Sequence, residues 1–175
     1  MTVIVVFIFC IFNAGISIAS THWISPDGSS SWGSCVGNSD PGSNYCSLDT
    51  ANLSVSAGDT IYLKGGVYTL SGGNNYDSGV SPYSTGTDVN KIIYSAAPSE
   101  TPIIDSSGFA INGIYLNAKN YIVIDGIYFR NVSAFGVLLN SSYNEIKNCT
   151  FGPDTGVSGG MLTFNNGSSH NWVLS

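Results

Sequence analysis

The sequence predicts an all-β solenoid built from stacked parallel strands, and three observations carry that prediction. A short apolar run recurs: GIYLN at Gly113 to Asn117 returns as GVLLN at Gly136 to Asn140 and as GMLTFN at Gly160 to Asn165. A second run recurs between those copies, IVIDGIYF at Ile122 to Phe129 reappearing as NEIKNCTF at Asn144 to Phe151, so that Ile124 matches Ile146, Ile127 matches Cys149 and Phe129 matches Phe151, each 22 residues on. The third is composition: 21 glycines supply turns, while charged residues make up only 9% of the 175-residue chain, against about 25% in an average soluble domain. Strand-length pieces repeating every two dozen residues cannot bury an apolar face singly. They bury it by stacking coil on coil.

Runs of four or five residues rich in Ile, Val, Tyr and Phe are too short for helices and suit strands. Residues one coil apart then stack about 4.8 Å apart, which makes every sheet parallel. Spacing Ile114 to Val137 to Met161 gives steps of 23 and 24 residues. On that register Ile114 and Leu116 point inward and Tyr115 outward, Val137 and Leu139 follow inward, then Met161 and Thr163. Asn117, Asn140 and Asn165 close the three runs and are expected to share one corner, passing amide hydrogen bonds between coils.

With these repeats and that asparagine corner the chain resembles the right-handed parallel β-helix superfamily, the pectate-lyase-like fold, over roughly residues 50 to 175. The resemblance implies fold and leaves activity open, because that fold hosts many functions.

The elements follow in order. Val3 to Phe12 is apolar and small residues end at Ser17-Ile18-Ala19, which suits a signal peptide over residues 1–19 cleaved after Ala19 and a mature chain that is secreted or held at the cell surface. The run is about half the length a membrane-spanning helix needs. No stable membrane span is expected after cleavage. Residues 20–57 are assigned to an N-terminal cap. Within them HWIS opens a strand, PDG turns, Cys35 and Cys46 bracket a loop that an oxidising compartment would close as a disulfide, and Ser47 caps a short helix reaching Val55. That segment is expected to cover the open end of the solenoid.

Residues 58–175 are assigned to the coils. GDTIYLKGGVYTL at Gly58 to Leu70 resembles the first coil of many secreted β-helix proteins, with Ile61 and Leu63 inward and Gly65-Gly66 at the corner. Ser71 to Asn90 lacks periodicity and is expected to leave the coil as a long excursion suited to binding. Lys91 to Tyr94 and Ile103-Ile104 resume strands. Cys149 takes the inward position matched by Ile127 and is expected to be a small buried hydrophobe. Trp172-Val173-Leu174 aligns with Glu145-Ile146-Lys147, so the sequence stops inside a strand; a truncated solenoid, or another chain over that edge, is expected.

Function classes narrow from the same residues. The net charge is −6 and the basic side chains are Lys64, Lys91, Lys119, Arg130 and Lys147, which leaves no basic patch for nucleic acid. The superfamily resemblance implies polysaccharide as the partner and, for an enzyme, a polysaccharide lyase or glycoside hydrolase with its catalytic coils beyond Ser175. A lyase removes the proton next to a uronate carboxylate and so needs a base and a source of positive charge. Lys119 and Arg130 flank one coil and are the catalytic candidates, although a turn and a strand end predict solvated side chains there. Tyr62, Tyr76, Tyr83 and Tyr115 are the sugar-stacking candidates. Calcium enters by resemblance alone, with Asn74, Asn75, Asp77 and Asp88 as available oxygens but no calcium-loop spacing; no metal site is assigned. Asp105 and Asp125 do not stand a coil apart, as a hydrolase pair would need, and His22 and His170 read as isolated. Five glycosylation sequons, at Asn52, Asn131, Asn140, Asn148 and Asn166, are no more than composition explains. The alternative function is a non-catalytic surface, adhesion or structural repeat protein.

Overall fold

A computed structural model describes residues 19–70, 78–107, 109, 112–132, 134–152 and 162–174. The expected signal peptide lies outside them except for Ala19, as do Asn74, Asn75, Tyr76, Asp77 and Met161. Thirteen strands are described: β1 Thr21–Ile24, β2 Thr60–Leu63, β3 Gly66–Thr69, β4 Ile92–Ala96, β5 Pro102–Asp105, β6 Asn112–Asn117, β7 Ile122–Asp125, β8 Tyr128–Arg130, β9 Ala134–Leu139, β10 Glu145–Lys147, β11 Thr150–Phe151, β12 Leu162–Asn165 and β13 Trp172–Leu174. They form three sheets, ordered β1-β2-β4-β7-β10-β13, β11-β8-β5-β3 and β12-β9-β6. Every strand pair is parallel. The backbone visits the first, second and third sheets in turn and returns one coil higher, the parallel β-helix the repeats predict.

Inward residues stack in columns. Ile61, Tyr94, Ile124 and Ile146 fall in register along the first sheet, and Tyr68, Ile104, Phe129 and Phe151 along the second. Most of these are wholly buried, so each coil removes its apolar face from water by resting on its neighbours. The Phe129 and Phe151 rings stack at 5.6 Å and 16°, within the range where aromatic pairs add stability beyond burial alone. Half-buried Cys149 packs against this core, as expected of a small hydrophobe, and burial pushes its thiol up to about 11.

The third sheet departs from the expected register by one residue. Ile114 lies over Gly136, Tyr115 over Val137 and Leu116 over Leu138. Leu138 is therefore the buried residue of the pair, while Val137 and Leu139 are half-exposed and Thr163 follows Val137 on the outer face. The cause is the turn into the first sheet. It has the same length in both coils, so the 22-residue step that sets Ile146 over Ile124 also sets Gly136 over Ile114. Gly136 fits there because a Cβ would stand 2.4 Å from Leu162 Cδ1; the next coil fills the inward space.

The same slip removes the expected asparagine corner: Asn117 and Asn165 both pair with Leu139, and Asn140 lies one residue past it. A different ladder does that work. Ile122 N donates to Asn144 Oδ1 at 2.9 Å and Asn144 Nδ2 donates to Lys119 O at 3.0 Å; a coil later Asn144 N donates to Asn171 Oδ1 at 3.0 Å and Asn171 Nδ2 to Ser141 O at 2.8 Å. Tyr121, Tyr143 and His170 occupy the same turn with left-handed φ of 57°, 60° and 51°. Their rings stack 5.0 and 4.9 Å apart. His170 is thus the end of an aromatic column and not an isolated side chain.

At the other end, β1 extends the first sheet, and a 3-10 turn (Trp32–Ser34) and helix α1 (Leu48–Ser54) close over the core. Ser47 caps α1 by accepting from Thr50 N at 3.0 Å. Cys35 and Cys46 form the disulfide. His22 is buried and stacked on Trp32 at 3.5 Å; burial lowers its pKa, partly offset by Asp59. Asn52, on the inner side of α1, donates to Gly79 O at 2.8 Å and accepts from Tyr94 Oη at 3.1 Å. Its sequon is therefore internal.

Candidate functional site

The excursion after β3 returns onto the third sheet. Val80 bridges to Ile114 in parallel, with Val80 N donating to Gly113 O at 2.9 Å and Tyr115 N to Val80 O at 2.9 Å. Tyr83 N then donates to Asn52 O at 2.8 Å, and Thr85 Oγ1 and Asn120 N are linked at 2.8 Å. A segment tied at both ends stands as a fixed wall beside β6. Between them runs an open groove of about 220 Å³ lined by Ser81, Pro82, Tyr83, Tyr115, Asn117 and Lys119.

Three of the sequence candidates meet in that groove. Tyr115 points outward from β6 because Ile114 and Leu116 take the inward positions. Tyr83 is 59% exposed, leaving ring surface for a ligand. Lys119 sits in the turn after β6 and donates from Nζ to Tyr83 O, so its ammonium is held at the groove and is not freely solvated. The other four basic side chains are each within 4 Å of a carboxylate: Lys64 with Asp40 and Glu100, Lys91 with Glu145, Arg130 with Asp105, and Lys147 with Asp125 and Glu145. Lys119 has no such partner among the described residues. It is the site's uncompensated positive charge.

The remaining candidates lie elsewhere. Tyr62 faces outward on the first sheet and packs against Trp23 at 4.9 Å. Arg130 belongs to the second sheet, where its Nε donates to Asp105 Oδ2 at 2.7 Å; the solvated side chain expected from the sequence is instead half of a mostly buried pair. Asp105 also accepts from Asn131 Nδ2 at 3.0 Å and Ser107 N at 2.8 Å. Burial alone raises the Asp105 pKa, but these three donors together outweigh it and the carboxyl is held below its ordinary value. Tyr76 lies outside the described residues, and Asp88 is exposed. No three His, Cys, Asp or Glu side chains gather at metal distance among the described residues, so those residues do not fit calcium.

Sequence reasoning missed Ser81, Pro82 and Asn117 as groove walls. The Val80 bridge that brings Ser81 and Pro82 in spans 34 residues, from Val80 to Ile114, and no local pattern announces it.

Residues 24–175 match the family described as Pel9A-like, right handed beta helix region. The pectate lyase L proteins of Dickeya chrysanthemi and Dickeya dadantii (strain 3937) are 24% and 25% identical over 167 and 170 residues. Those alignments cover 93% of this chain and 37% of each relative. A solved rhamnogalacturonan lyase superposes with a TM-score of 0.62 at 16% identity, covering 89% of this chain and 50% of that one, a likeness of fold. The chain thus spans between about a third and half of the length of these proteins.

Proposed function

Because the chain belongs to the Pel9A-like right-handed β-helix family, we propose that it is part of a secreted polysaccharide-acting protein of lyase type, and that the groove beside β6 holds an acidic sugar chain. The observation that carries this reading is the placement of Lys119 without a described carboxylate partner, between two tyrosines. In that arrangement the ammonium pairs with a uronate carboxylate while Tyr83 and Tyr115 offer ring faces to the sugars. Pairing withdraws charge from the carboxylate and makes the neighbouring C5 proton easier to remove. Elimination then moves the C5–H electrons into a C4–C5 double bond, the C4–O bond breaks, and the leaving oxygen takes a proton. Lys119 serves here as the neutralising cation. Arg130, committed to Asp105 on another sheet, takes no part.

Secretion is supported by the apolar run at Val3 to Phe12 and by the Cys35–Cys46 disulfide, which persists in an oxidising compartment. Among the described residues no helix is long and apolar enough to cross a membrane.

The test is incubation of the chain with polygalacturonate, alginate and chondroitin, with ultraviolet absorbance reporting unsaturated ends and calorimetry reporting binding. Binding to one polyuronate, weakened about tenfold in Lys119→Ala, supports the groove. Unsaturated ends support a lyase, and binding without them supports the non-catalytic surface protein. No binding to any polyuronate rejects the reading.

A further inference from the structure

A second open pocket, of about 400 Å³, lies on the cap near the corner between β2 and β3 and is lined by residues 25–30 with Ser43, Tyr45, Lys64 and Gly65. Its volume falls in the range of small-molecule sites. We propose that it binds a neutral sugar unit, so that the chain carries a second saccharide site whose charge preference is opposite to that of the groove.

Rigidity is the first ground. The wall formed by Ser25 to Ser30 is fixed to the disulfide strand: Ser25 N donates to Cys46 O at 3.1 Å, Ser30 N to Tyr45 O at 2.9 Å and Gly28 N to Ser25 O at 3.0 Å. A Cβ on Gly28 would stand 2.0 Å from Cys46 O, so glycine is what allows this close approach. The pocket is formed before any ligand arrives, which lowers the ordering cost of binding.

Unused polar groups are the second. Asp27 Oδ1 accepts from Ser25 Oγ at 3.0 Å, but its other carboxylate oxygen and the hydroxyls of Ser29, Ser30 and Ser43 make no hydrogen bond within the described protein. A carboxylate oxygen beside hydroxyls, with the Tyr45 ring as a flat wall, matches the donors, acceptors and apolar face of a pyranose.

Charge selects against acidic sugars. Lys64, the cation at the rim, is held by Asp40 at 2.7 Å and by Glu100. Asp40 also accepts from Tyr45 Oη and Gly42 N, and these contacts, led by Lys64, hold its carboxyl near 2. Three carboxylates, those of Asp27, Asp40 and Glu100, thus face one ammonium. A uronate entering here would meet an excess of negative charge, whereas a neutral ring meets only hydrogen-bonding groups.

This inference rests on the reading that the chain meets polysaccharide, but not on the groove. The experiment uses the full chain with two probes, an α-1,4-linked galactose tetramer and the α-1,4-galacturonate tetramer that differs from it by oxidation at C6. Amide NMR shifts locate each probe and titration gives its affinity. The galactose tetramer is expected to shift Ser29, Tyr45 and Gly65, with affinity reduced about tenfold in Tyr45→Ala. Because Tyr45→Ala also removes a contact to Asp40, Ser43→Trp serves as a second variant that fills the pocket from an exposed loop position; it is expected to abolish those shifts. Galactose binding that leaves the pocket amides unmoved, or galacturonate binding there as tightly as galactose, overturns the proposal. The groove reading is judged separately by galacturonate binding to Lys119→Ala, so either site can fail without the other.

Discussion

Asp105 concentrates more polar contacts than any repeat pattern foretells. Its side chain is 10% exposed, and Arg130, Asn131 and the Ser107 amide all donate to it. Its carboxyl is held below its ordinary value in the folded chain, so the stability it contributes is present in full above the unfolded carboxylate pKa and is lost as pH falls through the lower folded value. Asp105→Asn is expected to cost about 1 to 2 kcal/mol at neutral pH, the range for a hydrogen bond to a charged group with one partner partly in water. That difference from the parent chain should shrink in urea melts run below the ordinary carboxylate range. A difference equal at neutral and acid pH would mean that packing, not ionisation, accounts for the loss. The side chains that pair here were visible as residues. Their pairing was not, because Asp105 and Arg130 face each other only after two second-sheet strands have been brought side by side.

At the scale of elements, the turn between the third and first sheets is what fixes register. Asn144 is 1% exposed and satisfies Ile122 N and Lys119 O at once. Asn144→Ala would leave both groups without their partner in a buried turn, at an expected cost of about 2 to 3 kcal/mol. Asn171→Ala repeats the loss on the more exposed terminal coil and should cost less. Thermal melts of the two variants check the order, and equal losses would contradict a burial-dependent ladder. The sequence disclosed the first-sheet and second-sheet columns because Ile124, Ile146, Phe129 and Phe151 repeat in kind. It misled in the third sheet, where matching Gly113 to Gly136 by motif set the strands one residue out. Turn length decided the register, and asparagines at run ends drew attention from Asn144 and Asn171, which lie at strand starts.

For the molecule as a whole, coils touch only their neighbours, so stability varies along the axis. The Cys35–Cys46 bond, with a sequence separation of 11, ties the cap over the first coil; by loop length alone it is worth about 3 kcal/mol. Its reduction is expected to speed amide exchange in β1 and β2 while leaving β7 and β10 nearly unchanged. Equal acceleration along the axis would mean that the solenoid opens as one unit. The architecture was legible because repetition is a property of the linear chain. The groove was legible only in part, since Tyr115 and Lys119 belong to the repeat, whereas Tyr83 is carried there by a segment without periodicity.

The step between stacked coils is not constant: Ile124 to Ile146 is 22 residues, and Ile146 to Val173 is 27, while both pairs remain directly superposed in the first sheet. Extra length is therefore absorbed at one corner without disturbing the others. Such a scaffold separates what keeps the molecule standing from what it displays: descendants can lengthen a loop and acquire a new specificity while inheriting an unaltered spine.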